Sequence, residues 1–175
     1  MPAEIRKATV NDIDSITRIY DAVHEAEESG AQTIGWIKGV YPVRDTAEQA
    51  VARGDMYVLE SDGTIYGSAV INNIQVEAYA KGRWMYETPD DKVCVLHTLV
   101  IDPKAAQKGY GRKFIDYYEE YAKMHSFSEL RIDTNEKNKV ARAMYARLGY
   151  KEIGTVPTVF NGIPDVNLIL LEKRI

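Results

Sequence analysis

The chain has 175 residues, with 22 Lys plus Arg against 26 Asp plus Glu, one cysteine and a net charge of −4. That length suits a single domain over residues 1–175 with a sizeable core. The charge leaves no basic footprint for nucleic acid, no apolar run approaches membrane-spanning length, and a lone cysteine rules out an internal disulfide. The first residues lack the apolar core of a signal peptide, so a cytoplasmic protein is expected, with neither nucleic acid nor membrane as partner and a homodimer left open.

Glu4 to Ala8 reads as a first strand. Asn11 or Asp12 can cap a helix whose Ile13, Ile16, Ile19, Tyr20 and Val23 follow the 3.6-residue period, fading near Gly30. Ala31 to Arg44 is a glycine-punctuated loop or short helix carrying Trp36 and Tyr41, and it either folds over a pocket or packs on the core. Thr46 can cap a second helix through Arg53, closed by Gly54. Met56 to Glu60 and Thr64 to Val76 read as strands around a Ser61-Asp62-Gly63 turn. Glu77 to Lys92 is polar and irregular, longer than a hairpin needs, and holds Trp84.

Val93 to Ile101 is the pivotal strand. Val93, Val95, Leu99 and Ile101 alternate with Cys94, Leu96 and Val100, so both faces are apolar and the strand belongs in the middle of a covered sheet. Cys94 is then a small buried hydrophobe. Asp102-Pro103 ends the strand. Beyond Gly109 and Gly111 a helix runs to His125, and its N-terminus, with Lys108, Arg112 and Lys113 close by, forms a trap for an anion or only a solvated basic turn. It is neither a P-loop, since Arg112 and Lys113 follow Gly111, nor a dinucleotide loop, since Phe114 stands where a third glycine is needed. Glu129 to Thr134 is the next strand, and Asn138 caps a helix to Leu148 that ends at Gly149. Tyr150 to Val156 and Val166 to Lys173 are final strands around an Asn161-Gly162 turn, which Pro157 and Pro164 should widen.

Leu99, Ile101, Pro103, Gly109 and Gly111 resemble the L-x-V-x-P-x-x-R/Q-x-x-G-x-G/A loop of the GNAT N-acetyltransferase superfamily, with Ala106 in place of the usual Arg or Gln and Gln107 beside it. Asn138, Ala141, Tyr145, Gly149 and Tyr150 resemble its second signature, N-x-x-A-x-x-x-Y-x-x-x-G-F/Y, at every position. The resemblance spans Glu4 to Lys173. It implies a three-layer mixed α/β fold, a central twisted mixed sheet flanked by helices in the order β-α-α-β-β-β-α-β-α-β-β.

The resemblance also implies an acyltransferase that moves acetyl from acetyl-CoA to a primary amine by direct transfer in a ternary complex, without metal. Leu99, Val100 and Ile101 would pair with the pantetheine arm. Gln107, Lys108, Gly109, Tyr110, Gly111 and Arg112 would hold the pyrophosphate, and Asn138 would touch the cofactor arm. Tyr145 would protonate the departing thiolate. No glutamate stands between Val93 and Asp102, so the base is His97, in a Leu-His-x-Leu context similar to that of serotonin N-acetyltransferases, or water. Trp36, Tyr41 and Trp84 are the acceptor-side candidates. Two other readings stay open on the same scaffold, a non-catalytic acyl-CoA sensor and an acetyltransferase for protein N-termini or lysines.

Overall fold

The computed structural model describes residues 2–175. Seven strands form one sheet in the order β1-β2-β3-β4-β5-β7-β6. They are β1 (Glu4–Lys7), β2 (Met56–Ser61), β3 (Thr64–Asn72), β4 (Val93–Ile101), β5 (Glu129–Asn135), β6 (Lys151–Phe160) and β7 (Ile163–Arg174). Only β4 and β5 pair in parallel; every other neighbouring pair is antiparallel. Helices α1 (Ile13–Glu28) and α2 (Arg44–Arg53) cover one face, packing Ile16, Ile19 and Ala47 on Val58 and Val70. Helices α3 (Tyr110–Met124) and α4 (Lys139–Arg147) cover the other, where Phe114 and Tyr118 meet Leu59, Leu96 and Ile132. The mixed three-layer order expected from sequence is the order found, with β4 central.

Four local differences have physical causes. Helix α2 starts at Arg44 rather than after Thr46, because Thr46 Oγ1 reaches back to accept from Val43 N–H at 3.1 Å and stabilises an earlier start. β3 stops at Asn72 instead of Val76, where Asn72 Oδ1 accepts from Ile74 N–H at 2.9 Å and turns the chain. The β6–β7 ladder continues to Phe160 and Ile163 around Asn161 and Gly162, both at positive φ. Pro157 is tolerated there because β6 is an edge strand, whose outward side needs no donor.

The fourth difference matters most. Opposite β3, Ser68 pairs with Val100 and Val70 with His97, so β4 carries one extra residue at a bulge. The bulge reverses the expected faces. Leu99 and Ile101 join Cys94 and Leu96 against α3, while Val100 turns to the α1 side. Strict alternation from Val93 to Ile101 therefore fails after His97.

Beneath residues 77–92, two carboxyls on adjacent strands are buried together, Glu129 at 0% and Glu172 at 1% exposure. Glu129 Oε2 accepts from Thr88 Oγ1 at 2.7 Å, and Glu172 Oε1 accepts from Met85 N–H at 2.6 Å. Burial, with the facing Glu172 carboxyl, raises Glu129 from 4.5 to about 7. A carboxyl raised on folding favours the fold while protonated, so its contribution is complete below 4.5 and is lost as pH rises through about 7. Wild-type melting temperature should therefore fall between about pH 5 and pH 8 more than that of Glu129→Gln, whose amide cannot ionise. Parallel thermal unfolding curves check this, and equal slopes against pH would contradict it.

Candidate functional site

β4 and β5 run side by side only from Val93 to Leu96, opposite Glu129 to Ile132. Past Leu96 the ladder ends and the strands diverge, so the β5-facing edge of residues 97–101 opens into a cleft of about 1240 Å³. Thr98 sits at the bulge with φ +49°, a strained conformation for a β-branched residue that costs on the order of 1–3 kcal/mol. Its hydroxyl is hydrogen-bonded to the phenol of Tyr41. The bulge is thus tied to the segment that follows α1.

One wall of the cleft is the N-terminal turn of α3. The turn is fixed from below, since buried Asp102 accepts from Lys104 N–H at 3.0 Å and from the Arg18 guanidinium at 3.2 Å. Gly109 caps the helix at φ +76°, a left-handed conformation that glycine adopts without penalty. Gly111 answers a different need. A Cβ there would touch Met144 Sδ at 3.4 Å, so Gly111 stands where α3 and α4 come close and a large side chain would fill the gap between them. The first N–H groups of α3 have no acceptor within the helix and face the cleft with the helix dipole behind them. Gln107, Tyr110 and Arg112 line it as well. Lys108 does not, because its ammonium lies 5.4 Å over the Tyr66 ring.

Helix α4 forms the opposite wall. Asn138 Oδ1 accepts from Ala141 N–H at 3.2 Å and caps the helix while still lining the cleft. Two helix N-termini therefore converge on one space, an arrangement that favours an anionic ligand. The four basic residues that line it, Arg112, Lys137, Lys139 and Arg147, all stand on these two helices or in the turn before α4. Tyr145 reaches the floor from α4 at 5% exposure, in edge contact with Tyr150. Burial, and then the nearby Asp133 carboxylate, push its phenol well up, so it stays protonated.

The remaining side is capped by residues 31–43. The Glu27 carboxylate accepts from Ile34 N–H at 2.6 Å and from Gly35 N–H at 3.0 Å, and a His24 ring nitrogen lies 2.8 Å from the Pro42 carbonyl oxygen. These bonds hold Trp36 and Tyr41 over the cleft, which both line. Trp84 is elsewhere. It packs edge-on against Tyr79, beneath the Arg131 guanidinium at 4.0 Å, and its indole N–H donates to the Tyr79 carbonyl, which places it at a separate pocket under residues 82–89.

His97 does line the cleft, with Nε2 at 2.8 Å from Asn72 Oδ1. Burial lowers it to about 4, so it is neutral at pH 7 and a weak proton acceptor. Sequence reasoning missed Asp133. This β5 residue lines the cleft and accepts from Tyr79 O–H at 2.7 Å, and burial raises it to about 6. The one available signal was the alternation of Glu129, Arg131 and Asp133 with Leu130 and Ile132, which puts three charges on one face of the strand.

A model of the acetyltransferase (GNAT) family matches residues 16–150. The chain belongs to this family. Among solved structures, the fold is similar to a GNAT-family acetyltransferase from Streptococcus agalactiae 2603, at 24% identity and a TM-score of 0.80 over 99% of this chain and 95% of that one. It is also similar to a ribosomal-protein-alanine N-acetyltransferase from Brucella melitensis, at 18% identity and 0.72 over 98% and 99%. A third is yncA from Salmonella typhimurium, solved with its cofactor acetyl-CoA, at 17% identity and 0.71 over 99% and 94%. On this GNAT scaffold the cleft between β4 and β5 gathers Leu99 to Ile101, the α3 turn, Asn138, Tyr145, His97, Trp36 and Tyr41, and leaves out Lys108 and Trp84.

Gly109→Ala isolates the role of backbone conformation, because the added methyl would meet nothing within 4 Å. A left-handed alanine costs about 1–2 kcal/mol. Urea unfolding should show that loss with an unchanged m-value.

Proposed function

We propose that this protein is an acetyl-CoA-dependent N-acetyltransferase that passes acetyl directly to a primary amine, a small molecule by preference, in a ternary complex. The observation that carries the reading is the open edge of β4 facing two helix N-termini across one cleft, with the Tyr145 phenol at its floor. Along Leu99, Val100 and Ile101, the backbone groups on the β5-facing edge have no strand partner and suit the amides of the pantetheine arm. The N–H groups of the α3 turn and the Arg112 guanidinium suit the pyrophosphate, and Asn138, held at the head of α4, is placed for the cofactor arm. The co-crystallisation of yncA with acetyl-CoA on the same fold supports this reading. Acetyl-CoA supplies an acyl group activated as a thioester. Tyr145, kept protonated by burial, donates to the developing thiolate.

Direct transfer is favoured over an acyl-enzyme by Cys94. Its thiol is fully buried in the α3 face of β4, and burial pushes it up to about 12, so it offers no thiolate near neutral pH. Tyr145 at the cleft floor argues for catalysis over a sensor role. The Trp36–Tyr41 cap argues for a small acceptor over a protein tail.

Release of free thiol from acetyl-CoA, screened across a panel of amines, tests the reading. Gly111→Glu should abolish acetyl-CoA binding in calorimetry, because its side chain fills the gap beside Met144 and adds a negative charge at an anion site. Tyr145→Phe should lower kcat by roughly 10²-fold with acetyl-CoA affinity little changed. Wild-type affinity in the first variant, or wild-type kcat in the second, would contradict these roles.

A further inference from the structure

The two halves of the cleft differ in charge. The basic side chains all stand on α3, on α4 or in the turn before α4. The half beneath residues 31–43 contains no Lys or Arg among its lining residues. Its walls there are largely apolar and aromatic, from Trp36, Tyr41, Val76, Phe160, Ile163 and Leu168, with Gln32, Thr33 and Asn161 also in the lining. Into this half points one carboxylate, Asp133, on the same face of β5 as Arg131. Its only hydrogen bond among the described residues is the one from Tyr79, which occupies Oδ2 and leaves Oδ1 without a partner among them. A half-buried carboxylate facing a largely apolar space with one oxygen unpaired favours a cation or a proton beside it.

We propose that Asp133 is the acceptor site of this cleft, holding the nitrogen of a primary amine that has an apolar or aromatic body and no carboxylate beside the nitrogen. The proposal rests on the acetyltransferase reading and narrows it. An amino acid would bring its carboxylate into a half-cleft that has an anion and no cation to meet it. An amine without that group brings only the charge the site lacks.

The same placement gives Asp133 a chemical task. The bound ammonium loses one proton to water. As the N–C bond forms and the C–S bond breaks, the nitrogen's second proton passes to Asp133 and the sulfur takes the proton of Tyr145. Asp133 then returns its proton to the Tyr145 phenolate through water, and the enzyme is restored. The steps assist each other. Part of what raises the Tyr145 phenol is the Asp133 charge, so protonating Asp133 makes Tyr145 a better acid as the thiolate departs. The groups facing Asp133 are Tyr79 from the turn after β3, Tyr41 from the cap and Tyr145 from α4, with Arg131 two residues before it on β5, while His97 lines the same cleft but bonds to Asn72 on the β3 side.

The test compares phenethylamine with phenylalanine as acceptors, following thiol release from acetyl-CoA across pH in wild type, Asp133→Asn, Tyr79→Phe and His97→Ala. Wild type should prefer phenethylamine by about 10²-fold or more in kcat/KM, the scale of a buried charge left unpaired. Its rate should fall as pH drops through about 6. Asp133→Asn should lose about 10²-fold and that limb of the profile, with acetyl-CoA affinity and melting temperature retained. Tyr79→Phe removes the bond that holds Asp133 down, so the limb should move to higher pH. His97→Ala should leave the limb in place. Preference for phenylalanine, or a profile indifferent to Asp133 and Tyr79, would overturn the proposal alone. Thiol release with no amine at all would overturn the acetyltransferase reading and the proposal with it.

Discussion

The extra residue in β4 at Thr98 is the constraint on which the rest of the site depends. A regular strand would have continued pairing with β5 past Leu96 and closed the sheet. The bulge bends β4 away, so the parallel ladder ends and backbone groups that would have been spent within the sheet face a cleft instead. It also rotates Leu99 and Ile101 onto the α3 side, where they pack against the helix whose N-terminus forms the anion-facing wall. One inserted residue therefore opens the space, frees its hydrogen-bonding edge and seats one of its walls. The strain at Thr98 is offset by fixed neighbours. Tyr41 bonds its hydroxyl, and Tyr41 belongs to a segment that Glu27 and His24 tie to α1.

Charge then divides what the bulge opened. Helix dipoles and basic side chains gather on the α3 and α4 side, where a polyanion is favoured. The side under residues 31–43 has aromatic walls and a carboxylate. A cleft polarised in this way can seat an anionic donor and a cationic acceptor from opposite sides. Neither has to displace the other, which is the geometric requirement for direct transfer. Tyr145 and Asp133 lie where the two halves meet, close enough that the carboxylate acts on the phenol.

Much of the fold was legible because each element carried its own period. Isoleucines at helical spacing in α1 and the doubly apolar β4 left few alternatives, and the glycine loop and the Asn138 to Tyr150 signature located both walls of the cleft. What was hidden depends on long-range geometry. No local feature around Thr98 announces a bulge, since Thr and Leu suit a regular strand, and alternation alone put Leu99 on the wrong face. Trp84 looked like a pocket residue because an irregular loop carried it. Its indole is instead held by Tyr79 and Arg131, partners distant in sequence. Asp133 was passed over for the opposite reason, as the last of three alternating charges in a short strand, and its importance appears only once β4 moves away from it.

The contrast between His97 and Asp133 shows why a titratable residue on the right strand does not suffice for the base. Both are enclosed by the same cleft, and low dielectric disfavours the charged form of each. For a histidine that means a lowered pKa, and His97 at about 4 has little proton affinity left at pH 7. For a carboxyl it means a raised one, and Asp133 at about 6 gains proton affinity from the same burial. Proton transfer is most effective when the acceptor's pKa lies near the working pH. Enclosure thus weakens the residue that its sequence context favoured and strengthens one of three alternating charges that the sequence did not single out. The aromatic half-cleft that would suit a cationic amine is also the surrounding that raises the proton affinity of its aspartate.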